Sequence, residues 1–265
     1  MKTTWKIAQA ELKSLFSSPI AWLILIIFTF QAGLGMSEKL SDEIRHIALY
    51  GRGYNLTGAI LAREVGSVFS DMLENLYLYI PLLTMGLMSK EYSSGSIKLL
   101  YSSPITNAQI ILGKYASMLV YSAVLMLVLL VFLFLGAGFI ENFDYPRAFT
   151  ALLGIFFLTC AYAAIGLFMS TLTAYQVVAA VGTLTVLALL NYVQNVGQNY
   201  DFVRDITYWL SISGRAYQFI SGLICSEDLL YFFIVIALFI CLSIERLHVR
   251  HKKNTPVKTW GMYAG

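Results

Sequence analysis

Apolar runs and short polar breaks alternate along the whole chain, and the length of the runs says what they are. Six stretches, about Ile20 to Gly35, Asp71 to Ser89, Ala116 to Phe139, Phe149 to Met169, Gln176 to Val193 and Leu229 to Ile244, are rich in Leu, Ile, Val, Phe and Ala. Apolar runs of about 17–25 residues match the hydrocarbon thickness that a membrane helix crosses. The pattern predicts an all-α, polytopic membrane protein with six transmembrane helices in one domain, residues 1–265. Ahead of the first run, Lys2 to Phe16 reads as an amphipathic helix on the inner membrane surface. Trp5, Ala8, Leu12 and Phe16 share one face, flanked by Lys2, Lys6 and Lys13. Ser17-Ser18-Pro19 breaks it, with Pro19 suited to the first turn of the next helix.

The breaks between runs differ in kind. Ser37 to Ser70 carries mixed charge and apolar residues at helical spacing around Gly51 and Gly58, which predicts two short outer surface helices. Glu141 to Arg147 is a short outer turn, and Ser170 to Tyr175 a short inner one. Asn195 to Asp228 is amphipathic but interrupted by Gly214 and Gly222, too broken for a clean pair of crossings. Pro81 falls inside the second run, where it removes one helical hydrogen bond and favours a kink.

Composition agrees with the pattern. Only 12% of residues are charged and mean hydropathy is +0.70, against about 25% charged in a globular chain. Charge distribution then orients the chain. With six crossings and both termini inside, the inner regions hold 11 of the 18 Lys and Arg but only Glu11, Glu91 and Glu245 of the 15 acids. Inner regions thus sum to +8 and outer ones to −5, as the positive-inside rule requires. These basic residues read as topology signals, and no aromatic-interleaved basic motif points to nucleic acid. The basic start followed by an apolar run reads as an uncleaved anchor, because Gly33-Leu34-Gly35-Met36 makes a poor cleavage site. Cys160, Cys225 and Cys241 form neither a disulfide framework nor a zinc spacing.

One break has more structure than a loop needs. Ser89 to Tyr115 holds Lys90, Lys98 and Lys114 against Glu91, with enough Ile and Leu to pack and with Gly95 and Pro104 as punctuation. It reads as two short helices joined by a turn at Ser102-Ser103-Pro104, at the inner face of the membrane. Its residues, Lys90-Glu91-Tyr92-Ser93-Ser94-Gly95-Ser96-Ile97-Lys98-Leu99-Leu100, Ser103-Pro104-Ile105 and Ile111-Leu112-Gly113-Lys114-Tyr115, resemble the block after the second span of ABC-2-type transporter permeases, closest to the gliding-motility-associated subgroup. Glu11–Ala21, Ala163–Val178 and the Gly222 to Glu245 ending agree. The sequence departs from that pattern at Ser96, where Thr is usual, and at Lys98, where Glu is common.

The resemblance implies a permease subunit of an ATP-binding cassette exporter in the bacterial cytoplasmic membrane. It implies a separate ABC ATPase, two copies per complex, that carries the ATP and Mg. It also implies a homodimer or a pairing with a second permease, short re-entrant helices between spans five and six, and an accessory protein on the outer face. The ATPase-coupling segment is then Lys90, Glu91, Ser94, Gly95, Ser96, Lys98, Leu99, Leu100 and Pro104. In span five, Gln176, Ala180, Thr183, Leu187, Asn191 and Gln194 share one arc at helical period. Amides facing lipid are costly, so this face looks at protein or water. It reads either as the lining of a translocation path at a subunit interface (Gln176, Thr183, Asn191 and Gln194) or as ordinary interhelical hydrogen bonding.

The chain has no Gly-x-x-x-x-Gly-Lys-Ser/Thr phosphate loop, His-Glu-x-x-His site or Gly-x-Ser-x-Gly elbow, so it is expected to be neither an ATPase nor an enzyme and to bind no cofactor or metal. Two other classes stand beside the permease. A secondary transporter calls for ionisable residues near the bilayer midplane, which these spans lack; a membrane scaffold for gliding or secretion would need no coupling to ATP.

Overall fold

The computed structural model describes residues 2–51, 56–62, 66–102, 104–140, 142–193, 207 and 211–254, and these form helices and turns with no strand among them. Among the described residues eleven helices follow in order: α1 (Lys2–Phe16), α2 (Pro19–Tyr50), α3 (Leu56–Ile60), α4 (Val68–Thr84), α5 (Gly86–Ser94), α6 (Ile97–Ser102), α7 (Asn107–Phe139), α8 (Tyr145–Leu172), α9 (Gln176–Tyr192), α10 (Ile212–Ile220) and α11 (Ser226–Asn254). Among the described residues, α2, α7, α8 and α11 are long and apolar enough to cross a membrane, and α9 is a shorter apolar helix. The chain is a multi-pass membrane protein.

Helix boundaries follow local chemistry. Pro19 occupies the first turn of α2; Thr106 and Gln109 form a capping box at the start of α7; the Asp144 side chain accepts from the Arg147 amide at the start of α8, with Pro146 in its first turn. Helix α8 sits at the centre and packs against α4, α7, α9, α10 and α11. Its small residues explain this. A side chain at Gly154 would collide with Phe219 of α10, and one at Gly166 with Thr84 of α4, so these helices touch backbone to side chain. Tyrosine hydroxyls add buried ties: Tyr121 donates to the Ala21 carbonyl (2.7 Å) and Tyr115 to the Cys160 carbonyl (3.2 Å).

Several elements differ from the expectation. The first crossing does not stop at Gly35, and the two short helices expected over Ser37–Ser70 reduce to α3. Helix α2 runs on to Tyr50 because no Gly or Pro interrupts residues 36–50, and it ends where Gly51 adopts φ +86°. At about 1.5 Å per residue it is about 48 Å long, well beyond a hydrocarbon core of about 30 Å. Helix α7 likewise starts at Asn107 rather than Ala116. Pro104 therefore lies between α6 and α7, and the two short helices meet at Gly95 instead. Helix α1 packs on α7 through Ile7, which leaves no room for a side chain at Gly113. Ala8 is buried, as the amphipathic reading has it, but Trp5 is exposed. The second run is divided: α4 ends at Thr84 and α5 begins at Gly86, a turn beyond Pro81. Gln194 and much of the expected re-entrant segment lie outside the described residues; α10 is the helix seen there.

Candidate functional site

Helices α5 and α6 make a small foot at the end of α4. Residue Gly95 joins them with φ +74°, a left-handed conformation that costs an L-residue energy. One side of the foot is anchored and the other is free. On the anchored side, Ile97 is buried. The Arg250 guanidinium of α11 lies over the Tyr92 ring at 3.8 Å and donates to the Thr171 carbonyl at 3.2 Å. His251 stacks on Tyr101 with ring centroids 4.1 Å apart. Burial pushes the Tyr92 hydroxyl up to about 12. Ser93, Ser94, Lys98, Ser102 and Pro104 are exposed on the free side, and Leu99 is 74% exposed.

The strongest anchor is a three-residue ion cluster. Lys114 of α7, 2% exposed, places Nζ 2.9 Å from Glu11 Oε2 of α1 and 2.7 Å from Glu91 Oε1 of α5. Both acids keep about a fifth of their side chains exposed. Glu91 Oε2 is buried without a hydrogen-bond partner, and burial holds the Glu91 carboxyl above its ordinary range despite Lys114. Lys114, counted above as a charge facing the cytoplasm, is instead a buried tie among three helices. A signal for it was present: of the three acids assigned to the inner regions, two meet this one lysine. Nothing in the spacing pointed to Arg250 or His251.

The residues singled out for coupling thus separate. Glu91 points inward and Leu100 packs against the core. Lys90, Lys98, Leu99, Ser94 and Pro104 are exposed, and Ser94 shares a 2.9 Å hydroxyl contact with Ser96 beside Gly95. Lys90 also lines a cavity of about 150 Å³ with Glu11, Ser14, Leu83 and Gln176, at the junction of α1, α4, α5 and α9.

On α9, Thr183 is fully buried beside Ala179 and Leu187, and its hydroxyl donates to the Ala179 carbonyl at 2.7 Å. This face turns toward the chain's own α4 and α8. Gln176 stands at the inner cavity, and the Asn191 carbonyl accepts from Ser213 of α10 at 3.3 Å. A polar track missed in the sequence runs between α2 and α4. Tyr79 donates to Gln31. Beyond this pair, Glu38, Asp71, Glu74, Asn75 and Gln31 line an outer cavity of about 320 Å³. Tyr217 of α10 donates to Glu74 at 2.6 Å, and a buried Arg215–Asp228 ion pair (2.7 Å) ties α10 to α11. Among the described residues no cluster of His, Cys, Asp and Glu suits a metal ion.

Comparison with protein families matches residues 5–199 to the ABC-2 family transporter protein model. The chain belongs to the ABC-2 transporter family. No curated protein matches it. ABC-2 chains are membrane components that lack ATPase activity of their own and normally pair with an ABC ATPase subunit. This ABC-2 chain is accordingly a permease subunit of an ABC transporter; the finer gliding-motility likeness has no further support.

Proposed function

We propose that this ABC-2 permease is half of an exporter in a bacterial cytoplasmic membrane. It crosses six times, through α2, α4, α7, α8, α9 and α11, with both termini inside. Two copies, or one copy and a related permease, enclose the path, and two ABC ATPase subunits carrying ATP and Mg dock beneath. The ATPase grips the free side of the foot through Lys98, Leu99, Ser94 and the turn at Pro104. Its motion passes through Glu91 and Lys114 to α1 and α7. Gln176 and Asn191 then mark the inner and outer ends of the α9 side of the path, while Thr183 holds α9 against the bundle. The outer ends of α2, α3 and α4 form the surface for an accessory protein.

The observation that carries this reading is the division of the foot. A segment held rigidly on one side, with an exposed Leu and Lys on the other, suits a partner that pushes. The test is purification of the tagged protein in mild detergent with a photo-crosslinker at Leu99. Recovery of an ABC ATPase crosslinked at that position, with vanadate-sensitive ATP hydrolysis, is the expected result. Full transport by the permease alone in ATP-free liposomes would refute it.

A further inference from the structure

The break between α4 and α5 is held by one side chain from another helix. Ser170, in the last turn of α8, is fully buried. Its Oγ accepts from the amides of Met88 (2.9 Å) and Ser89 (3.1 Å), and donates to the Met85 carbonyl at 3.0 Å. A hydroxyl offers one proton and two lone pairs, so all three positions are filled by backbone groups at the break. Met85 itself keeps helical angles, φ −53° and ψ −36°, and its amide donates to the Pro81 carbonyl at 3.0 Å. The ladder is therefore interrupted while Met85 keeps helical backbone angles.

The same turn of α8 reaches the other end of α5. The Thr171 carbonyl takes the Arg250 guanidinium, which covers Tyr92. One turn earlier, Gly166 lies hard against Thr84, and α8 is the most buried of the long apolar helices. A fixed element thus holds both ends of a short helix whose outer side is free.

We propose that Ser170 is a positioning residue: its hydroxyl is the pivot about which the α5–α6 foot turns against α4, converting motion of the ATPase into tilt of the spans. This rests on the coupling reading above and adds a residue that contacts neither the ATPase nor the path.

Ser170→Ala and Ser170→Thr proteins in lipid nanodiscs test this, alone and with the ABC ATPase that copurifies with the wild-type chain. Alone, Ser170→Ala is expected to exchange the Met88 and Ser89 amide hydrogens about tenfold faster than wild type, since a lost buried hydrogen bond is worth about that factor. Ser170→Thr, which keeps the hydroxyl, should exchange like wild type. With the ATPase, spin labels at Ser102 and Val177, in a Cys225→Ser, Cys241→Ser background, should show a defined distance shift on vanadate trapping in wild type and Ser170→Thr. Ser170→Ala should give a broad distribution without that shift. Unchanged exchange in Ser170→Ala overturns the proposal, because the hydroxyl then does not hold the break. Faster exchange with an intact vanadate-dependent shift overturns it too, because the foot then turns without this pivot. Failure to capture any ABC ATPase removes the coupling reading and the pivot's role with it. That failure is recognisable because the exchange difference between the two variants would remain.

Discussion

Replacing Lys114 with Met is the most direct probe of how the foot is attached. Met has nearly the same length and apolar volume, so packing survives while the charge is lost. In the native protein one buried ammonium serves two carboxylates at 2.9 and 2.7 Å. Removing one partner from a buried ion pair costs about 3–5 kcal/mol, mostly from the charge left behind. Here Glu11 and Glu91 keep 20% and 21% of their side chains exposed, so water recovers part of the loss and the lower end, about 3 kcal/mol, is the expected cost. For a chain of this size that is about 6–12 °C in melting temperature. The assay is fluorescence-detected size-exclusion melting in detergent, on Lys114→Met and on the triple variant Lys114→Met, Glu11→Gln, Glu91→Gln. The triple variant, with no buried charge left over, should recover most of the loss. The reasoning fails if Lys114→Met melts with wild type, or if the triple variant melts no higher than the single one.

Two further outcomes follow from the same region. Gly95→Ala should cost about 1 kcal/mol, because the residue sits at φ +74° with nothing within 4 Å of a new Cβ; the penalty is then purely backbone strain, and a melting temperature unchanged or raised would show that the foot adopts another conformation. Glu91→Gln tests pH dependence: burial raises the carboxyl above its ordinary 4.5, so the folded chain holds a proton that the unfolded chain has released, and stability falls as pH rises through that window. The melting-temperature difference, wild type minus Glu91→Gln, should therefore shrink from pH 4.5 upward, and a difference that grows with pH would contradict the assignment.

Pro19 marked the start of α2, because a proline acts within a turn of where it stands, whereas the Thr106–Gln109 box and Pro146, which begin α7 and α8, were not read as helix starts. Hydropathy did less well at the outer end of α2. It measures where lipid stops, near Glu38 and Lys39, whereas the helix stops only at Gly51. The foot was legible from Gly95 and Pro104, but the joint between its two helices was placed at Ser102–Pro104 rather than at Gly95, since an apolar residue such as Ile105 looks alike in a turn and in a helix. For α9, period 3.6 picked out the arc that holds buried Thr183 and Leu187, yet a period shows only that a face is covered, not by which chain. The ion cluster joins residues 103 positions apart, beyond any local rule. A lone lysine at the head of an apolar helix nevertheless asks for a carboxylate, and the inner regions offered very few.

That two of those few acids share one lysine has an electrostatic consequence. A single buried pair would leave Lys114 bare whenever its one acid was lost, at the cost discussed above. With Glu11 on α1 as a second partner at 2.9 Å, loss of Glu91 alone still leaves the ammonium paired. Glu91 is also the acid with less to lose, since its Oε2 has no hydrogen-bond partner in the docked position. The cost of opening the cluster thus falls on an acid already one-fifth exposed rather than on a lysine that is 2% exposed. Helix α1, clamped to α7 at Gly113 and Lys114, thus holds the lysine independently of α5.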